Sequence, residues 1–359
     1  MRLIIATGIS GSGRKEYLAK WEEYCRIRGK RVKVYHVGEL MFKLAKDMGL
    51  NFNPVNILNG DQDILHILRT SVLNRIEAEI SNKDKYDAVI ICVHGFFYWG
   101  SVYIRGFDRF LNKFDADTFV TFIEDFRVVK NNLNKREQWR NEKLSDKDIL
   151  LWQNVEVEIT TSIAQFADKP YFVVPASSKE GMFYKLVFHP EVEPVYIAMP
   201  ISHLREPEQR IGINRFITKL EKYFTVFNPL SVEVVGAVFF DAENRSSLVD
   251  DFIVERHVVY RDQNWFVRQA KKVIVYWPKS ELPEVINKHK WLSKLWPKAI
   301  ASPGVDHETH EAFSKTKDVW VVFNGKEASP FVVSYSTRGL FYSEDEFFNF
   351  LDKKYPDRK

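Results

Sequence analysis

The chain opens on an apolar run, Leu3-Ile4-Ile5-Ala6, that passes directly into Thr7-Gly8-Ile9-Ser10-Gly11-Ser12-Gly13-Arg14-Lys15. Behind this loop, Tyr17, Leu18, Trp21 and Tyr24 recur at helical spacing. A short, wholly apolar strand is buried on both faces, which calls for a parallel sheet with helices covering each side. Strand, glycine loop and helix therefore commit the N-terminal half to an α/β arrangement. The alternation continues. Strands are expected at 31–37, 88–93, 117–123 and 171–175, and helices at 40–47, 63–81 and 150–166.

The spacing Gly8-x-x-x-x-Gly13 between a strand and a helix is the context in which backbone N–H groups cradle phosphate. Gly8, Ser10, Gly11, Ser12, Gly13, Arg14 and Lys15 are the expected nucleotide-binding residues, with ATP as ligand and magnesium left open. The pattern asks for Lys and then Ser or Thr after Gly13, and the chain supplies Arg14 and Lys15. Arginine can hold phosphate, but neither side chain offers the hydroxyl that ligates magnesium. A tight turn without a ligand is the plainer alternative. Residues 1–176 resemble archaeal-type adenylate kinase and other small P-loop nucleotide kinases. The resemblance is carried by residues 7–13, by the strand end Cys92-Val93-His94-Gly95, and by the polar stretch 127–148. It implies a mobile lid whose arginines clamp phosphates, matched here by Arg127, Arg136 and Arg140; a solvated basic helix face would look the same. Where such kinases carry Asp before Thr-His, only His94 stands, so nucleotide binding is expected and phosphorylation is doubtful.

Residues 177–193 begin polar and end at Pro190 and Pro194, which places a domain boundary near 190 and gives domains 1–190 and 191–359. Beyond it, strands are expected at 195–198, 225–229, 273–277, 319–323 and 331–336. Helices are expected at 206–224, 248–257, 262–271 and 344–353. Another helix should start at Ser302-Pro303-Gly304, whose free N–H groups suit a phosphate. Trp291, Leu292, Leu295 and Trp296 read as core, with a lid or partner surface as the other possibility.

Ser302-x-Gly304-Val305-x-x-Glu308-x-x-x-Ala312 resembles the signature of the nucleoside 2-deoxyribosyltransferase family, which includes deoxynucleoside 5'-phosphate N-hydrolases. Two further landmarks stand in family order: Val195-Tyr196-Ile197-Ala198-Met199-Pro200-Ile201-Ser202, and Tyr260-Arg261-Asp262 before the strand at 273–277. The resemblance implies Glu308 as nucleophile, Asp262 as acid or orienting carboxylate, and Tyr196 placing the nucleophile or sugar. It implies Ser302 and Gly304 at the 5'-phosphate, with Ser202 and Arg205 as further substrate contacts. Two carboxyls in different environments can divide the work of breaking a glycosidic bond. A capping Glu and an N-capping Asp are the structural alternatives for the pair. Together the two resemblances give the expected fold class: α/β, two domains, each a mostly parallel sheet flanked by helices. The first is P-loop NTPase-like and the second Rossmann-like or flavodoxin-like, the deoxyribosyltransferase fold.

Composition bounds the rest. At 359 residues, 45% hydrophobic and 28% charged, the chain has the profile of a soluble protein with two cores. No apolar run reaches membrane-helix length, and no signal peptide is read at the N-terminus. Two cysteines are too few for a disulfide framework, which makes a reducing cytoplasm the default. The net charge of +4 is dispersed among acids, which disfavours nucleic acid as a partner. His307 and His310 flank Glu308 three residues apart, where a zinc helix needs four, so no metal is expected and glycosidic cleavage needs no cofactor. No Gly-x-Ser-x-Gly elbow is present for a serine hydrolase. The leading expectation is an N-glycosidase or deoxyribosyltransferase acting on nucleotides, homo-oligomeric by resemblance. The alternative is a sensor in which a bound nucleotide regulates the C-terminal domain, with cleavage of an NAD-type dinucleotide as one output.

Overall fold

The computed structural model describes residues 1–107, 111, 113–201, 207–232, 248–278, 302–324, 328 and 330–358. The chain forms two compact units: Met1–His189 with Arg245–His257, and Pro190–Asn244 with Val258–Lys359. Among the described residues, no helix is long and apolar enough to cross a membrane.

The first unit is built on five parallel strands in the order β2-β3-β1-β6-β7. These are β1 (Arg2–Thr7), β2 (Val32–His36), β3 (Ala88–Cys92), β6 (Thr118–Ile123) and β7 (Tyr171–Pro175). Central β1 pairs on both edges, with Ile4 facing Ile90 on one side and Thr118 on the other. Apolar runs suit such a strand because both its faces are covered. On one face Trp21, Leu18 and Cys25 from α1 (Arg14–Ile27) meet Phe183 from α7 (Glu180–Phe188). The other face is closed by α2 (Val37–Asp47), α3 (Gln62–Ile80) and α6 (Asp146–Phe166), with Leu44, Leu68, Val72 and Trp152 inside. The polar stretch 127–148 carries α4 (Phe126–Asn134) and the single turn α5 (Glu137–Arg140). The sequence reading did not anticipate a hairpin in this unit. Strands β4 (Phe96–Trp99) and β5 (Val102–Arg105) form an antiparallel hairpin, with Gly100 and Ser101 both at positive φ as its two-residue loop requires.

The second unit is also a five-stranded parallel sheet, in the order β12-β11-β10-β8-β9. Its strands are β8 (Pro194–Ala198), β9 (Thr225–Phe227), β10 (Lys272–Trp277), β11 (Asp318–Phe323) and β12 (Gly339–Phe341). Its helices are α8 (Pro207–Leu220), α10 (Pro303–Ser314), α11 (Pro330–Tyr335) and α12 (Glu344–Lys354), while α9 (Leu248–Arg261) is divided, its residues through His257 belonging to the first unit and the rest to the second. Phe216 and Leu220 of α8 and Phe347 and Leu351 of α12 pack on one face with Tyr276 and Trp320. Two expectations are corrected here. The β-branched run at 331–336 is the helix α11, because Pro330 at its first position is set for a helix start; the edge slot goes to three-residue β12, paired with Trp320 to Val322 of β11. The segment expected as an α-helix at 262–271 begins as a π-helical turn, Asp262–Val267.

Candidate functional site

In an open α/β sheet, ligands sit beyond the carboxyl ends of the strands where the strand order reverses. In the first unit that point lies between β1 and β3, and the glycine loop leaves β1 there. Gly8 has φ +148°, and a Cβ on it would stand 2.7 Å from the Phe122 carbonyl, so only glycine fits. Gly11 (φ +82°) lies against Leu133 and the Val129 carbonyl of α4, and its own carbonyl accepts from Asn132 Nδ2 at 2.9 Å. Gly13, left-handed at φ +73°, is the N-cap of α1. The amides of Gly11, Gly13, Arg14 and Lys15 make no hydrogen bond among the described residues, which leaves them as donors at a positive helix end.

The loop is braced from behind by a buried carboxylate that the sequence did not reveal. Glu156 of α6 accepts from Gly8 N at 2.9 Å and Gly95 N at 2.8 Å through Oε1, and from Phe96 N at 2.9 Å through Oε2. Burial pushes its pKa up, and the three N–H donors pull it down. Beside it, Thr7 Oγ1 bonds to Thr121 and Thr160 at 2.8 Å each. No periodicity marks Glu156 among the other acids of its helix.

In front of the loop opens a cleft of about 960 Å³. Its floor is residues 9–15 and Cys92 to His94, and its walls come from the start of α2, the segment 53–58, Arg69, Phe97 and Arg136. Arg14 folds back over the strand ends, its Nη1 donating to the carbonyls of Ala6 (3.3 Å) and Val93. Lys15 is ion-paired with Glu39 of α2. His36 and His94 both have lowered pKa values through burial and then the Arg14 charge, so both are neutral at pH 7. His94 packs on Phe97 at 4.4 Å between centroids, and its buried Nδ1 lacks a hydrogen-bond partner among the described residues. Burial pushes the Cys92 thiol up to about 11, which leaves it protonated and unreactive. Of the three lid candidates, Arg136 lines the cleft; Arg127, which lies over the Phe126 ring, and exposed Arg140 do not.

Magnesium does not fit these residues. A P-loop ion needs an oxygen from the first helical turn and is commonly held by a carboxylate from a neighbouring strand end. Lys15 stands where the hydroxyl would be, the carboxylate of that turn, Glu16, is exposed at the rim, and β3 runs out into Val93 and His94.

In the second unit the strand order reverses between β8 and β10. Tyr196 is fully buried on β8, opposite Val273 of β10. Its ring stacks on Phe266 (6.3 Å, 15°), and its hydroxyl donates to Glu308 Oε1 at 2.7 Å. Ser302 caps α10 by accepting from Val305 N, Pro303 follows at the first helical position, and Val305, Thr309 and Ala312 form the buried stripe. Glu308 flanks that stripe in the second turn of α10. The helix dipole acts mainly within the first turn, so a capping role does not explain this carboxylate. Gly304 has an ordinary helical φ, and a Cβ there would find nothing nearer than Ser302 Oγ at 4.0 Å. Packing within the chain does not demand glycine at this position. Asp262 is buried at the start of the π turn, which packs against α10, and it is paired with Arg261 Nε at 2.9 Å. Burial raises its pKa and Arg261 lowers it. Ser202 and Arg205 lie outside the described residues, as do Trp291, Leu292, Leu295 and Trp296. Glu124, just past β6, is an acid that sequence reasoning did not single out; burial pushes it up to about 7 against the Asp125 N–H that donates to it.

No family model matches the chain, and no curated protein matches it. Solved structures that resemble it include shikimate kinase from Bacteroides thetaiotaomicron, 15% identical, covering 48% of this chain and 86% of that one at a TM-score of 0.29. An uncharacterized protein from Eubacterium ventriosum is 16% identical over 52% of this chain and 97% of that one, at 0.28. Deoxyadenosine kinase from M. mycoides, solved with dCMP and dCDP, is 10% identical over 51% and 95%, at 0.30.

Proposed function

We propose that the chain acts on nucleotides, cleaving or transferring an N-glycosidic bond with Glu308 and holding a nucleotide at the glycine loop. The observation that carries the glycosidic reading is the 2.7 Å hydrogen bond between Tyr196 and Glu308, residues far apart in sequence that meet at the reversal of the second sheet. Tyr196 fixes one carboxylate oxygen and supports the charged form. The Glu308 carboxylate would bond to the sugar C1' as the C1'–N bond breaks and its electron pair leaves with the base. The departing base needs a proton, and Asp262 is the candidate donor: burial favours its protonated form, while Arg261 opposes it. Water would then release the sugar by hydrolysis, or a second base would take it by transfer. Gly304 and the Ser302 hydroxyl form the open start of α10, which suits a 5'-phosphate.

The sensor reading is favoured by a specific observation in the first unit. Arg14 and Lys15 replace the residues that phosphoryl transfer uses, and Lys15 is paired with Glu39. In that reading a nucleotide binds without turnover.

The test is to incubate the full chain with separate ribo- and deoxynucleosides and their monophosphates, with and without ATP, and to chromatograph for free base. Glu308→Gln protein runs beside it. Base released by the wild type alone supports the glycosidic reading and names its substrate. Equal release by Glu308→Gln sinks it, and no release from any substrate leaves the sensor.

A further inference from the structure

Resting on the nucleotide-binding reading of the glycine loop, we propose that the cleft of the first unit takes its ligand as a free nucleoside mono- or diphosphate, without a divalent cation. A metal-bound phosphate chain needs oxygen ligands from the protein and room for the ion beside the loop. At the usual hydroxyl position and at the end of β3 the cleft offers no oxygen side chain. The hydroxyl position is Lys15, whose ammonium is bonded to Glu39, so the nearest carboxylate on α2 is already engaged. The end of β3 contributes His94, a nitrogen donor poorly matched to magnesium. Arg14 supplies a third obstacle. Its Nη1 is anchored on the carbonyls of Ala6 and Val93, which fixes a guanidinium across the crevice between β1 and β3. A fixed cation there repels a second cation and attracts phosphate oxygens through its remaining Nε and Nη2 donors.

Positive charge comes from the other walls as well. Arg69 and Arg136 line the same cleft, one from α3 and one from the start of α5. The unbonded loop amides, with Ser10 and Ser12 beside them, complete an anion cradle. The carboxylates on the rim, Glu16 and Glu137, are exposed. Such a cradle compensates a phosphate ester's charge without an ion, and magnesium would compete with the protein for the same oxygens. The volume of about 960 Å³ accommodates a nucleotide.

The experiment is titration calorimetry of the full chain with AMP and with ADP, each in EDTA and in excess magnesium. The expected result is binding in EDTA that magnesium leaves unchanged or weakens. Binding about tenfold or more tighter with magnesium overturns the proposal while leaving nucleotide binding intact. No heat and no binding in either condition overturns the nucleotide reading as well. Arg14→Ala should weaken ADP by about 10- to 100-fold in EDTA, with Arg14→Lys recovering part of the loss. Lys15→Ser restores a hydroxyl and should make ADP affinity magnesium-dependent. If Lys15→Ser behaves like wild type in both buffers, position 15 does not set the metal requirement and the proposal falls.

Discussion

The two units share an architecture and differ in what they place at the reversal of strand order. Each is a parallel five-stranded sheet, one ordered β2-β3-β1-β6-β7 and the other β12-β11-β10-β8-β9. In the first, the working surface is backbone: a loop of glycines with unbonded amides, braced by buried Glu156. In the second it is side chain: a buried tyrosine aimed at a glutamate on the next helix. Backbone N–H groups suit an anion that is bound and released, whereas bond cleavage needs a group that changes its bonding. In the proposed reading, binding falls to the first unit and chemistry to the second, and substitutions can break that division.

The largest effect should come from Glu308→Gln, which keeps size and one acceptor oxygen for Tyr196 but removes the charge. Base release should fall by about a thousandfold or more, with the thermal melt and ADP titration unchanged. A loss of ADP binding in this variant would break the division of labour.

The glycines sharpen the same contrast. Gly8→Ala forces a side chain into φ +148° with its Cβ 2.7 Å from a carbonyl. It should cost about 3 kcal/mol of stability in the first unit and abolish nucleotide binding, read by hydrogen exchange across β1 and by calorimetry. Gly304→Ala meets no atom closer than 4.0 Å, so exchange in α10 should stay within about 0.5 kcal/mol of wild type. If substrate phosphate approaches that helix start, KM for base release rises even so. An unchanged KM would remove Gly304 from the site.

Tyr196→Phe deletes a single hydrogen bond to a carboxylate inside a ring stack that stays in place. Base release should drop by about 10- to 100-fold through kcat, with KM and the thermal melt nearly unchanged. A drop that tracks a lowered thermal melt instead would make Tyr196 a packing residue.

Much of this contrast was legible in the sequence, and the reasons differ by element. The strands at 88–93, 171–175, 273–277 and 319–323 were found nearly in place because a strand covered on both faces must be a short apolar run. The glycine loop was readable because positive φ and close approach leave few residue choices. What stayed hidden was whatever depends on long-range partners. Glu156 looks like any helix acid until three amides converge on it. The hairpin at 96–105 is aromatic on a sheet too small to show alternation. The run at 331–336 carries β-branched residues, and Pro330 together with the edge of β11 decided against a strand. Tyr196 and Glu308 were singled out by resemblance alone; their meeting required the parallel register that sets β8 beside β10.

The last expected effect concerns Glu124, whose carboxyl burial pushes from 4.5 up to about 7 while the Asp125 N–H pulls it down. Between those pH values the folded state keeps a proton that the unfolded chain has released. Stability therefore falls as pH rises through this window, is unaffected below about 4.5, and is lowest above about 7. Glu124→Gln removes the ionisation while keeping an acceptor for the Asp125 amide, which bonds to Glu124 Oε1 at 2.9 Å. The variant should be more stable than wild type by about 1–2 kcal/mol at pH 8, after discounting for the solvent that still reaches the group, and equal to it at pH 4.5. Hydrogen exchange of the β6 amides, Thr118–Ile123, at pH 4.5 and pH 8 isolates the first unit, where a whole-chain melt would mix two cores. A gain of the same size at both pH values would mean that Glu124 is merely poorly packed. A gain confined to high pH would show a carboxyl held near neutrality at the carboxyl edge of the sheet, outside the cleft, and would give the backbone-built unit a titrating group of its own.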